Sequence, residues 1–153
     1  MKIFDLLFPE TVVEELKAET KDEVIKELAG VVAGNCEEIA PVELANILLE
    51  RESLGSTGIG EGVAIPHGKY PGIKFLTGAL GRSTKGVDFQ SMDGKPAHLF
   101  FLLVAPENSA GLHLKALARI SRLLKTDRFR KKIMDAGSQI EMVEILREED
   151  ERL

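Results

Sequence analysis

Ala97-His98-Leu99-Phe100-Phe101-Leu102-Leu103-Val104 is nearly all apolar and is ended by Pro106. A continuous apolar run of this length between turn signals reads as a central strand covered on both faces. Turn chemistry precedes it in Ser91-Met92-Asp93-Gly94-Lys95-Pro96. Working outward, Ile73 to Gly81 reads as a second strand, broken by Gly78, and Val63 to Ile65 as a piece too short to stand without neighbours.

Helices flank these strands on both sides in the chain. Thr20 and Glu23 form a capping box, and Val24, Ile25, Leu28, Val31 and Val32 then recur at helical spacing up to Gly34. Pro41 can open a second helix at its first position, with Ala45, Leu48 and Leu49 apolar and Arg51 in the last turn before Gly55. Asn108 or Ser109 is placed to cap a third helix, where His113 shares a face with Ala116, Leu117, Ile120, Leu123 and Leu124. Thr126 or Asp127 starts a short fourth helix that stops near Gly137, and Ser138 with Glu141 reads as a capping box for the last. Glu148 to Arg152 reads as a solvated end, while Thr11 to Leu16 fits a short strand or a helical turn. Helices, then strands, then three helices is not a regular βαβ alternation, so the expected fold is an α/β layered domain with a mixed sheet.

Composition narrows the function classes. The 153 residues suit a single domain, 1–153, with 44% hydrophobic and 29% charged residues. A net charge of -5 argues against a general nucleic-acid binder. One cysteine, Cys36, leaves no internal disulfide framework and favours a reducing compartment. The apolar entry Ile3–Phe8 is too short for a signal peptide, and nothing approaches the roughly 18 apolar residues that span a bilayer. A cytoplasmic protein without membrane insertion is the expectation.

Ser56-Thr57-Gly58-Ile59-Gly60-Glu61-Gly62-Val63-Ala64-Ile65-Pro66-His67-Gly68 concentrates the chemistry. The glycines allow angles closed to other residues and leave room for a bulky group. Pro66 restricts Ile65 to extended angles, so His67 is presented from a stiff strand end. A neutral imidazole there is a nucleophile, and amides from Gly58 to Gly62, with Arg51 or a helix N-terminus nearby, could hold an anion such as phosphate. The plain alternative is a glycine-rich turn that happens to contain histidine. His98, inside the apolar run, reads as a hydrogen-bonded structural residue; for His113 a core role and a site role are both open. The glycine spacing and lack of a preceding strand do not fit a dinucleotide fingerprint. There is no Gly-Lys-Ser/Thr phosphate loop, no His-Glu-x-x-His helix, no paired-cysteine metal site and no Gly-x-Ser-x-Gly elbow. No metal and no cofactor is expected.

The stretch Arg51 to Gly68, continued by Phe100–Pro106 and by His113, Leu114 and Leu117, resembles the active-site signature of enzyme IIA of the phosphoenolpyruvate-dependent phosphotransferase system. It resembles the mannitol/fructose class (type 2), which includes the nitrogen-regulatory enzyme IIA, and the likeness covers essentially the whole chain. The resemblance implies a three-layer α/β/α sandwich and a phosphotransferase component that carries phosphate on His67, usually at Nε2. His113 would assist phosphate binding or transfer, while Arg51, Thr57, Gly60 and Glu61 would line the site. The implied partners are HPr or its nitrogen-branch counterpart, an enzyme IIB and regulatory target proteins. Ile59, Val63 and Ile65 are candidate contacts at the rim, though Ile65 fits the core better, and Lys69 and Tyr70 could meet an acidic partner. Sugar uptake and regulation both remain open; the lack of an attached IIB, HPr-like or membrane segment leans toward the regulatory form. A non-phosphorylated binding module on the same fold is the third reading.

Overall fold

A computed structural model describes residues 1–153. The apolar run forms β6 (Ala97–Ala105), the strand around which the sheet is built. On one side it pairs antiparallel with β5 (Thr77–Val87), and β5 pairs parallel with the two-residue β1 (Val12–Val13). On the other side β6 receives two parallel segments in succession, β3 (Val63–Ala64) and β4 (His67–Lys69). β2 (Gly58–Gly60) closes that edge antiparallel to β3. The sheet is therefore six-stranded and mixed.

Alternation along β6 divides the core in two. Leu99, Phe101, Leu103 and Ala105 join a cluster with Ile120, Leu124, Phe129 and Leu146. Phe100, Leu102 and Val104 join another with Val24, Leu28, Leu44 and Leu48. The first layer comprises α3 (Ala110–Leu124), α4 (Asp127–Asp135) and α5 (Gln139–Glu151), and the second α1 (Lys21–Ala33) and α2 (Pro41–Ser53). This is a three-layer α/β/α sandwich, with its central strand buried on both faces as a continuous apolar run requires. The two-fold alternation slips once: the Gly62 carbonyl accepts from both His98 N (2.8 Å) and Leu99 N (3.0 Å). Two residues thus oppose one, a β-bulge that puts Ala97 on the face of Phe100.

Several local expectations change. The second strand begins at Thr77, not Ile73, runs to Val87 and is not broken at Gly78. A Cβ on Gly78 would lie 2.4 Å from the Leu102 carbonyl oxygen, so glycine permits a close strand approach there. Thr11 ends a 3₁₀ turn (Pro9–Thr11), followed directly by β1. Ser109 occupies the N-cap position of α3 without capping it; its hydroxyl is turned to the Pro106 carbonyl, to which it donates at 2.6 Å. The Ser138 hydroxyl accepts from Glu141 N at 3.2 Å, but Glu141 reaches Gly137 N instead of completing the box. The C-terminal residues are only in part a solvated end: Glu148, Glu151 and Arg152 are exposed, but Glu149 and Asp150 are buried. Arg128 lies 3.2 Å from Glu149, while Asp150 meets Arg119 at 2.9 Å and accepts the Phe4 N–H at 3.0 Å. Cations and a backbone donor from distant segments offset the cost of burying these carboxylates.

Candidate functional site

His67 opens β4, opposite Leu103, near the carboxyl end of β6. Pro66 and the extended Ile65 lead into it, and Pro66 O accepts from Leu103 N at 3.0 Å, so the backbone is held by the central strand. His67 Nδ1 lies 2.7 Å from the Ile65 carbonyl oxygen. A carbonyl can only accept, so the proton sits on Nδ1 and the lone pair on Nε2. The ring is half-buried. Burial is the main cause that lowers its pKa below the ordinary 6.5; the Arg51 charge acts in the same direction, while the Ile65 bond and Glu52 oppose it.

His113 stands in the first turn of α3, and its ring meets that of His67 edge-on at 5.6 Å between centroids and 77° between planes. Its Nε2 is buried and has no hydrogen-bond partner. Burial, then the charges of His67 and Lys69, lower the His113 pKa. With Ser109 not capping, the first amides of α3 present a helix N-terminus free of side-chain oxygen beside this pair. On the other layer, α2 approaches β4 closely: a Cβ on Gly68 would stand 3.3 Å from Ile47 Cγ2 and 3.4 Å from Leu48 Cδ2. That approach brings the last turn of α2, with Arg51, toward His67. Arg51 Nη1 donates to the Gly55 carbonyl at 3.0 Å.

The glycine run is a β-hairpin rather than a loose loop. Gly60, Glu61 and Gly62 take positive φ values of 89°, 59° and 79° at its tip. Val63 pairs with Leu99 while His67 pairs with Leu103, which puts about 13 Å between Val63 and His67 at ~3.3 Å per residue, with the tip beyond Val63. Glu61 is held there by an ion pair to Arg130 at 2.9 Å, and its N–H donates to Asp93 at 3.1 Å. It lines a cleft of about 380 Å³ with His98, Arg130 and Lys131. Gly58 N donates to Ser56 Oγ at 3.0 Å, so two amides of the run are occupied within the fold. Thr57 is buried, and both its N–H (3.1 Å) and its hydroxyl donate to Glu52. The structure thus brings His67, His113 and Arg51 into one region, turns Thr57 toward Glu52, and places Gly60 and Glu61 at the far end of the hairpin.

Other candidates resolve into the fold. His98 Nδ1 donates to the Ser83 carbonyl at 2.9 Å, a structural bond. Val63 and Ile65 are buried core residues rather than rim contacts, and Ile59 is half-buried. Tyr70 is also buried; its hydroxyl donates to Glu43 at 3.1 Å and accepts Ala40 N at 3.0 Å, leaving only Lys69 exposed. Sequence reading missed Glu52 and Lys21, an ion pair of 2.6 Å just behind the site. A signal was present: Glu52 falls four residues after Leu48 and seven after Ala45, on the buried face of α2.

Residues 5–149 match the family described as phosphoenolpyruvate-dependent sugar phosphotransferase system, EIIA 2. A nitrogen regulatory protein of Bradyrhizobium diazoefficiens is 46% identical over 135 residues, which cover 87% of this chain and 86% of that protein. The fructose-specific EIIABC component of Bacillus subtilis is 40% identical over 152 residues, 98% of this chain but 24% of that longer protein. The crystal structure of nitrogen regulatory protein IIA-Ntr from Neisseria meningitidis is 34% identical and superposes with a TM-score of 0.86, covering 94% of this chain and 98% of that one. With its central strand, its glycine hairpin and its paired histidines in place, the chain belongs to the EIIA type 2 family of the phosphoenolpyruvate-dependent phosphotransferase system.

Proposed function

We propose that this chain is a cytoplasmic phosphoryl carrier and that His67 Nε2 is the atom phosphorylated. The observation that carries this is the bond from Nδ1 to the Ile65 carbonyl, which leaves the Nε2 lone pair for attack. In the transfer, the P–N bond to a donor phosphohistidine breaks as the bond from phosphorus to His67 Nε2 forms. The donor imidazole leaves with the electron pair. The His67 ring, still protonated at Nδ1, gains positive charge that the Ile65 carbonyl dipole stabilises. The phosphoryl oxygens meet the α3 N-terminus, the Arg51 charge and His113, whose partnerless Nε2 supplies a hydrogen bond to them. No metal or cofactor takes part in this reading.

The donor class is the small phosphocarrier HPr or its nitrogen-branch counterpart. Likeness over most of its length to a nitrogen regulatory protein favours a regulator whose phosphorylation state decides its protein contacts. Likeness to a fructose-specific component supports a second reading, in which phosphate continues to an enzyme IIB.

Intact mass after incubation with phosphoenolpyruvate, enzyme I and either carrier, followed by site mapping, tests the proposal. One acid-labile phosphate on His67 is the expected result, and candidate IIB proteins offered as acceptors then separate the two branches. No uptake from either carrier overturns it in favour of a non-phosphorylated binding module.

A further inference from the structure

Directly behind His67 lies a buried charge that the transfer described above does not use. Glu52 is 8% exposed. Its carboxylate meets Lys21 Nζ at 2.6 Å, the two side chains being 5% and 14% exposed. It also accepts the Thr57 N–H at 3.1 Å and 3.2 Å on its two oxygens, and the Thr57 hydroxyl. A buried ion pair is a weak source of stability, since desolvation offsets its attraction, but it holds geometry firmly once its lone pairs are filled.

The hydrogen bonds continue from Thr57 to the nucleophile. The Thr57 carbonyl accepts Ile65 N at 3.0 Å, and the Ile65 carbonyl accepts His67 Nδ1–H at 2.7 Å. Pro66 follows, so the Ile65 carbonyl belongs to a peptide that has no N–H of its own and little conformational freedom. Each end of Ile65 is thereby fixed, by Thr57 on its amide and by the imidazole on its carbonyl. The line runs from α1 through α2 and the hairpin base to the reactive ring.

We propose that Glu52, held by Lys21, is a positioning residue for His67, setting the Ile65 carbonyl that selects the Nδ1–H tautomer and so exposes Nε2. Through Thr57, loss of the carboxylate frees the 57–65 backbone bond to drift and lets the imidazole exchange tautomers. The Glu52 charge also favours the positively charged ring, the form that phosphorylation at Nε2 produces. The effect on transfer rests on the phosphoryl-carrier reading; the effect on the tautomer does not.

The test uses variants that remove the brace while keeping the layer packed. Lys21→Met/Glu52→Leu replaces the ion pair with apolar groups of similar volume, a change that buried pairs often tolerate. Thr57→Val removes only the hydroxyl bond. For each, ¹⁵N imidazole shifts of His67 at alkaline pH report the tautomer, and single-turnover uptake from phosphorylated HPr, or its nitrogen-branch counterpart, reports transfer. Expected are a single Nδ1–H tautomer in the parent protein, a tautomer mixture with about tenfold slower uptake in the double variant, and a smaller change of the same sign in Thr57→Val. A folded double variant that keeps the single tautomer and the parental rate overturns the proposal. Should that variant fail to fold, unchanged tautomer and rate in Thr57→Val overturn it equally. If the parent takes up no phosphate, the carrier reading fails and the tautomer measurement alone still decides the brace.

Discussion

At His67, a single hydrogen bond determines which ring nitrogen keeps its lone pair, and burial favours the neutral ring. On the proposed carrier reading, uptake requires an unprotonated Nε2, and the folded pKa lies below 6.5, chiefly through burial. The neutral ring therefore persists to lower pH than free histidine allows. The acid limb of the uptake rate should have its midpoint below 6.5, and Arg51→Gln should move it upward, because Arg51 lowers the pKa. A rate–pH profile of both proteins checks this; an acid limb that stays put means Arg51 does not act on the ring. The same shifts bear on stability. His67 and His113 are both depressed, so the unfolded chain binds more protons as pH falls below about 6.5. Stability should fall through that window down to the folded pKa values, and chemical denaturation across pH should show a flatter slope in His67→Gln. His67→Ala should lose uptake altogether, whereas His113→Ala, which retains the nucleophile, should label slowly but detectably, about 10²-fold below the parent if it supplies one hydrogen bond to developing charge. Time-resolved mass measurement distinguishes the two.

Among the elements, those that carry periodicity were legible and those set by long-range contacts were not. The capping box of α1 was readable because Thr20 and Glu23 act within one turn, and both bonds form. The continuity of β5 through Gly78 was hidden because this glycine reads locally as a breaker, while its meaning depends on Leu102 across the sheet. Glu149 and Asp150 read as solvent-facing because their partners, Arg119, Arg128 and Phe4, are remote in sequence. At the candidate site, His67 could be singled out from local context, whereas spacing left His113 open between core and site and only the family resemblance assigned it a site role. The placement of Glu61 could not be read locally, since Arg130 on α4 draws it to the far end of the hairpin. The β5–β6 contact gives a sharp test. In Gly78→Ala the new Cβ would meet a backbone oxygen at 2.4 Å, which cannot swing aside as a side chain could. Separation of the two strands should cost about 1–3 kcal/mol, read as a lowered denaturation midpoint. Gly72→Ala probes something else: nothing stands within 4 Å, but φ is +90°, so its cost is conformational strain alone, of order 1 kcal/mol. Equal losses in the two variants would mean that crowding against Leu102 is not what Gly78 relieves.

Across the whole molecule, the sheet separates the edge that carries His67 from the opposite one, and this separation makes docking testable. Leu112 and Leu114 flank His113 and are 46% and 68% exposed, while Leu54 follows Arg51 and is 82% exposed. On the proposed carrier reading a donor protein must reach His67, and exposed apolar side chains close in the chain to His113 and Arg51 are natural anchors for it. Ile140 is as exposed, at 70%, but belongs to the start of α5. Its neighbour Gln139 donates to the Val12 carbonyl of β1, at the other edge of the sheet. None of these side chains is buried in the core, so aspartate at any of them should change folding stability by no more than about 0.5 kcal/mol. Leu114→Asp should then raise the KM for the phosphorylated donor at least tenfold, and Ile140→Asp should leave it unchanged. Lys69, exposed two residues beyond His67, adds an electrostatic component. Lys69→Ala should slow transfer more at low ionic strength than at high, because screening removes the advantage of the charge within about 10 Å at 0.1 M salt. A salt-independent loss would instead place Lys69 in direct contact with the phosphoryl group. Equal effects of Leu114→Asp and Ile140→Asp on KM would detach docking from the His67 edge, because a donor that cannot reach Nε2 from that edge cannot transfer to it.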